Sequence, residues 1–146
     1  MRPAVLVPML LLWSGGGAVL ADHRFEGRDI GAGAALYAQN CAACHGAALE
    51  GQPDWRTPGP DGVLPAPPHD ETGHTWHHDT GLLLDYTLKG GAATLEARGV
   101  TGFKSGMPAF GDQLTEEEVL DILAYIRSHW SEEAQAVQRE RSHPGD

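Results

Sequence analysis

The stretch Asp29-Ile30-Gly31-Ala32-Gly33-Ala34-Ala35-Leu36-Tyr37-Ala38-Gln39-Asn40-Cys41-Ala42-Ala43-Cys44-His45 decides how this chain is read. Its first part is alanine-rich, with Ile30, Ala34, Tyr37 and Cys41 at near-helical spacing. That predicts a short helix with Asp29 as its N-cap, weakened in its first turn by Gly31 and Gly33. Cys41-Ala42-Ala43-Cys44-His45 follows, the C-x-x-C-H pattern of covalent haem attachment. Two thiols one helical turn apart can reach the two vinyl groups of one porphyrin. A histidine directly after the second thiol then aims its imidazole at the iron from the same side.

Three other uses of such a motif compete. A zinc site wants four protein ligands, and Cys41, Cys44 and His45 stand too close together to supply most of a tetrahedron. A thioredoxin-like pair wants a β-α-β context that the mostly helical pattern lacks. A chance CxxC in a loop is the third. Cys41 and Cys44 are the only cysteines in the chain, and a disulfide between them would close a tiny loop and stabilise little.

Downstream, the chain carries one further sulfur outside its first residues. Met1 and Met9 lie at the N-terminus, and Met107 stands 62 positions after His45, in Gly106-Met107-Pro108-Ala109-Phe110. A thioether is a soft ligand that favours reduced iron, so a His/Met pair raises the reduction potential. Gly106 permits close backbone approach to a haem, and Pro108 stiffens the turn that aims the sulfur. The alternative is that Met107 is apolar filler.

The last helix is the clearest periodic signal. Thr115 and Glu118 form a capping box, Glu116 and Glu117 suit the helix dipole, and Val119, Ile122, Leu123, Ile126 and Trp130 form one apolar stripe. Asp79 or Thr80 caps a middle helix, GLLLDYTLKG, which stops at Gly90-Gly91. Residues 92–111 read as a looser segment. Between residues 46 and 79 prolines and glycines leave no apolar period. So long a loop is expected to wrap a cofactor, with Trp55 and Trp76 as packing anchors.

Residues 31–130 resemble a class I cytochrome c: a helix leading into CAACHG, a middle loop, GMPAF, and a C-terminal helix. The resemblance implies an all-α cytochrome c fold of three main helices with long loops around one covalently bound haem c. It implies axial ligation by His45 and Met107 and attachment through Cys41 and Cys44. It further implies that the first and last helices cross, with Leu36 and Tyr37 facing Ile122, Leu123 or Ile126. His45 would donate its other ring proton to a proline carbonyl, which fixes the tautomer and strengthens the ligand. Gly59-Pro60 and Pro65-Ala66-Pro67-Pro68 both offer such a carbonyl, and the second cluster is favoured.

Four histidines depart from the plain family pattern: His69, His74, His77 and His78, within PHDETGHTWHHD. The segment is similar to one in a subgroup of small exported cytochromes. With Asp70 or Asp79 nearby, these imidazoles suit Cu(II) or Zn(II), or a haem propionate. The competing expectation, which we favour, is that they cap turns and bury edges around the haem, with Trp76 inside.

At the N-terminus, Arg2, the apolar run Ala4 to Trp13 and the small residues before Ala21 read as a secretory signal, 1–21, cleaved after Ala21. Pro8 and the shortness of the run argue against a membrane span. Residues 22–28 read as a mobile lead-in, 29–130 as the domain, and 131–146 as a charged, partly disordered tail. The chain holds 10 basic and 20 acidic residues, a formal charge of −10. Residues 1–21 hold only Arg2 among charged residues, so their removal makes the balance more acidic still. That excludes nucleic acid as a partner and favours redox proteins with a basic docking face. Together these features predict a monomeric, exported or periplasmic electron carrier and not an enzyme. A haem sensor or enzyme with open iron, and a copper-binding module using the histidine stretch, are the rival readings.

Overall fold

A computed structural model describes residues 23–142. The signal sequence predicted for 1–21 and the last tail residues, 143–146, lie outside the described residues. Among the described residues six α-helices follow one another: α1 (Ile30–Asn40), α2 (Ala42–His45), α3 (Thr80–Lys89), α4 (Gly91–Ala97), α5 (Glu116–Arg127) and α6 (Glu132–Arg141). Among the described residues there is no strand beyond one isolated bridge, Val63 to Lys104. The fold is all-α.

Caps fix where the helices start. The Asp29 carboxylate accepts from the Ala32 N–H at 2.9 Å, and that of Asp79 from the Leu82 N–H at 2.7 Å. At α5 the Thr115 hydroxyl accepts from the Glu118 N–H, and the Glu118 carboxylate accepts in return from the Thr115 N–H at 2.8 Å. Each bond satisfies a donor that the first helical turn leaves without a partner.

α1 crosses α5, as the sequence led us to expect, and the contact is closer than side-chain packing. A Cβ atom on Gly33 would sit 2.0 Å from the Asp121 carbonyl oxygen. Tyr37 packs beside it, buried, with its ring 5.5 Å from that of Tyr125. Val119, Leu120, Ile122, Leu123 and Ile126 form the buried face of α5. Trp130 belongs to the same core but lies beyond the end of α5, in the turn before α6.

Two expected loose ends are built in. In the lead-in, His23–Phe25 form a 3-10 turn, and Arg28 pairs with Glu117. In the tail, Ser131 caps α6, and Ala134 and Gln138 are buried against the body. Gln138 Nε2 donates to Thr80 Oγ1 at 2.9 Å, tying α6 to the start of α3. The apolar pattern does not announce this helix because its principal anchor is an amide.

Candidate cofactor site

Cys41 closes α1, with its N–H bonded to the Tyr37 carbonyl at 2.8 Å, and then opens α2. The carbonyl of Cys41 accepts from Cys44 at 3.1 Å and from His45 at 2.9 Å, so both cysteines and the histidine share one helical turn. Both thiols are unpaired; Cys44 is exposed and Cys41 half-buried. Burial, followed by the neighbouring Cys44, pushes the Cys41 thiol up to about 11. Tyr37 closes this turn from beneath, its hydroxyl donating to the Gly46 carbonyl at 2.9 Å.

His45 is buried, and its Nδ1 lies 2.8 Å from the carbonyl oxygen of Pro67. A carbonyl only accepts, so Nδ1 carries the proton and Nε2 is left with its lone pair. Burial holds the imidazole below its usual pKa, against the opposing pull of the Pro67 bond. The ring is therefore neutral at physiological pH, the state a metal ligand requires.

Of the two proline clusters, the second supplies the acceptor. The reason is a close backbone approach. Gly51 has φ +69°, and a Cβ there would meet the Pro68 nitrogen at 2.4 Å and the Pro67 carbonyl carbon at 2.6 Å. The Gly51 N–H donates to the His45 carbonyl at 2.7 Å, Gln52 N–H to Ala66 at 2.9 Å, and His69 N–H to Leu49 at 2.8 Å. Residues 49–52 thus clamp 66–69 against the end of α2. The long loop is folded, not structureless.

Met107 sits in a turn anchored by helix ends. Its carbonyl accepts from the Gly91 N–H at 3.1 Å, and its own N–H donates to Ser105 Oγ at 3.2 Å. Phe110 and Gly111 donate to the Thr87 and Leu88 carbonyls at the C-terminal end of α3. These carbonyls have no partner inside the helix, so the Met107 segment satisfies them. The short helix α4, starting at Gly91, replaces part of the loose segment expected over 92–111. Gly106 faces protein here: a Cβ on it would meet the Val63 side chain at 2.9 Å.

The histidine stretch does not gather. His69 stacks on His45, with ring centroids 4.0 Å apart and planes inclined by 25°. His74 instead stacks on Trp55 at 5.4 Å, and His77 contacts Trp76. His74 also meets His78 edge-on, with ring centroids 5.3 Å apart. Among the described residues no three His, Cys, Asp or Glu side chains come together as a metal site. The described residues thus give no support to the rival reading of a second metal site, and these rings pack against neighbouring aromatic side chains. Trp76 packs against the core as expected, whereas Trp55 is covered by Arg56, whose guanidinium lies 3.9 Å over its ring.

Trp130 and Thr75 support this site and escaped the sequence reading as such. The Trp130 Nε1 donates to the His69 carbonyl at 2.8 Å, and Thr75 Oγ1 lies 2.9 Å from His69 Nδ1. Trp130 was visible only as the last member of an apolar stripe.

These residues fit a covalently attached haem: two free thiols on one turn and a neutral imidazole with Nε2 available. Comparison with known proteins agrees. The Cytochrome c family model matches residues 30–130. The gluconate 2-dehydrogenase cytochrome c subunit of Pantoea cypripedii is 31% identical over 81% of this chain, which spans only 24% of that protein's length. Cytochrome c6 of Picosynechococcus is 32% identical over 67% of this chain and 71% of its own. Cytochrome c6 of Bryopsis maxima is 30% identical over 68% of this chain and 91% of its own. No solved structure gives a significant match.

Proposed function

The chain belongs to the cytochrome c family, and on that premise we propose that it is an exported carrier of single electrons. In this reading Cys41 and Cys44 hold one haem c through thioethers, and His45 and Met107 are its axial ligands. The observation that carries it is the engagement of His45 Nδ1 by the Pro67 carbonyl at 2.8 Å, one helical turn from two unpaired thiols. Nε2 is then the only ring nitrogen with a lone pair to offer.

Bound haem supplies an iron that alternates between Fe(III) and Fe(II). The protein's part is to hold that iron in one environment through both states. Pro67, by accepting from Nδ1, makes the imidazole a stronger donor and fixes its tautomer. Met107, as a soft partner, favours the reduced state and raises the potential. Holding the iron between them, His45 and Met107 would keep water and small ligands from it, and no substrate would need a pocket. The acidic excess of the chain steers it toward a basic face on its redox partner, in association that weakens with salt. Among the described residues no helix is long and apolar enough to cross a membrane. Export rests on the N-terminal signal pattern.

The test is the absorption spectrum and mass of protein made with haem-attachment machinery. We expect a pyridine haemochrome of one haem bound through two thioethers, and a mass lacking residues 1–21. The oxidised spectrum should be low-spin with the weak far-red band of methionine-ligated Fe(III). Colourless protein with free thiols would sink the reading. A high-spin spectrum without that band would replace the carrier by an open-iron sensor or enzyme.

A further inference from the structure

His69 lies face to face with His45; two hydrogen bonds hold its backbone and one holds its ring. Its backbone N–H donates to Leu49 at 2.8 Å, its carbonyl accepts from Trp130 at 2.8 Å, and its Nδ1 pairs with Thr75 Oγ1 at 2.9 Å. The Tyr37 ring meets it edge-on, with centroids 6.1 Å apart.

We propose that His69 is a positioning residue that fixes the tilt of the His45 imidazole. The inference rests on the reading of His45 as the haem-iron ligand and adds a residue to it. A single hydrogen bond from Nδ1 to the Pro67 carbonyl sets the direction of the N–H but leaves the ring free to rock about that axis. A second flat ring 4.0 Å away, in van der Waals contact, removes that freedom. The packing partner must itself be immobile, and the Thr75 bond stops the His69 ring from turning about its own side-chain axis. An aliphatic side chain would fill the space without that tether. Trp130 completes the brace from the last position that matches the family model, and the turn after it leads into α6, so the brace is continuous with the helix that follows.

The experiment follows the His45 Nδ1 proton in reduced, haem-loaded protein by proton NMR as it exchanges into deuterium oxide. His69→Ala should speed this exchange at least fivefold, while core amides of α5 such as Ile122 keep their rates. His69→Phe restores a flat face and should bring exchange back to within threefold of wild type. An increase below fivefold in His69→Ala, a Phe variant as fast as Ala, or an equal acceleration of the α5 amides overturns the proposal. Should His69→Ala fail to take up haem, Thr75→Val keeps the stack and removes only the tether. It should at least double the rate, and an unchanged rate overturns the proposal. Wild-type protein lacking ring-current-shifted signals from His45 would instead remove the ligand reading itself. That outcome is distinct from a ligated His45 indifferent to His69.

Discussion

Gly33 and Asp121 touch backbone to backbone: a Cβ on the glycine would lie 2.0 Å from the aspartate's carbonyl oxygen and 3.1 Å from the Tyr125 Cβ. No side-chain movement can relieve that contact, so Gly33→Ala must push α1 away from α5. The cost expected is about 3 kcal/mol, the upper end of what an added methyl does in a packed core. Denaturant unfolding of the haem-loaded protein checks it through a lower midpoint at unchanged slope. Gly31→Ala, on the exposed first turn, gains helix propensity and should stay within about 1 kcal/mol of wild type.

Gly51 holds the carbonyl that His45 uses. With φ +69° and the Pro67–Pro68 backbone in the way of any Cβ, Gly51→Ala is both strained and obstructed. The relief available is displacement of the proline loop, which lengthens the bond from His45 Nδ1 to Pro67. A less basic imidazole stabilises Fe(III) less. The reduction potential should therefore rise, by redox titration, with the low-spin spectrum kept. A fall in potential would contradict the role assigned to Pro67.

Trp130→Phe keeps an aromatic ring in the core and deletes the N–H that serves the His69 carbonyl. An acceptor left without its partner inside the protein costs about 1–3 kcal/mol. In a domain of this size that lowers Tm by about 3–15 °C. A melt of the haem-loaded protein within about 1 °C of wild type would mean that water takes the place of the indole.

The parts of this site that were legible from sequence are those set by local chemistry. Cys41, Cys44 and His45 share one helical turn, and their spacing alone announces that arrangement. Thr115 and Glu118 cap α5 across three residues, and that too can be read directly. Pro67 could be narrowed only to a cluster, because the choice depends on Gly51 lying against it, a contact with no sequence signature. The histidines from 69 to 78 are the opposite case. They are close in sequence, but the turn at Asp70–Gly73 and the 3-10 turn at Thr75–His77 send them to different neighbours. α6 stayed hidden because Glu132, Glu133, Arg139 and Arg141 dominate its composition, while Ala134 and Gln138 are its only buried side chains.

The capping box at α5 has a pH signature. Hydrogen bonds from the Thr115 backbone and then its hydroxyl hold the Glu118 carboxyl below the usual carboxylate range. A folded-state pKa below the unfolded one means that the unfolded chain takes up protons first as the solution is acidified. The stabilisation is present above about pH 4.5 and is lost as pH falls through the folded-state pKa. Glu118→Gln should therefore lower Tm at pH 7. The gap from wild type should close progressively below pH 4.5. A gap that stays constant into acid would assign the effect to packing and not to the carboxylate.

Met107 is held at its backbone, by the Gly91 N–H on its carbonyl and by Ser105 Oγ on its N–H. A change of side chain therefore leaves the turn that presents it in place. On the proposed ligation, Met107→His would exchange a soft thioether for a nitrogen donor, which favours Fe(III). As axial ligands span about 0.8 V between them, a drop on the order of 0.2 V is expected. The far-red band of methionine ligation should vanish while the spectrum stays low-spin. Because the backbone anchors are common to both proteins, the comparison isolates the ligand atom. If potential and spectrum match wild type, the sulfur never reached the iron, and the sixth ligand must come from elsewhere in the chain.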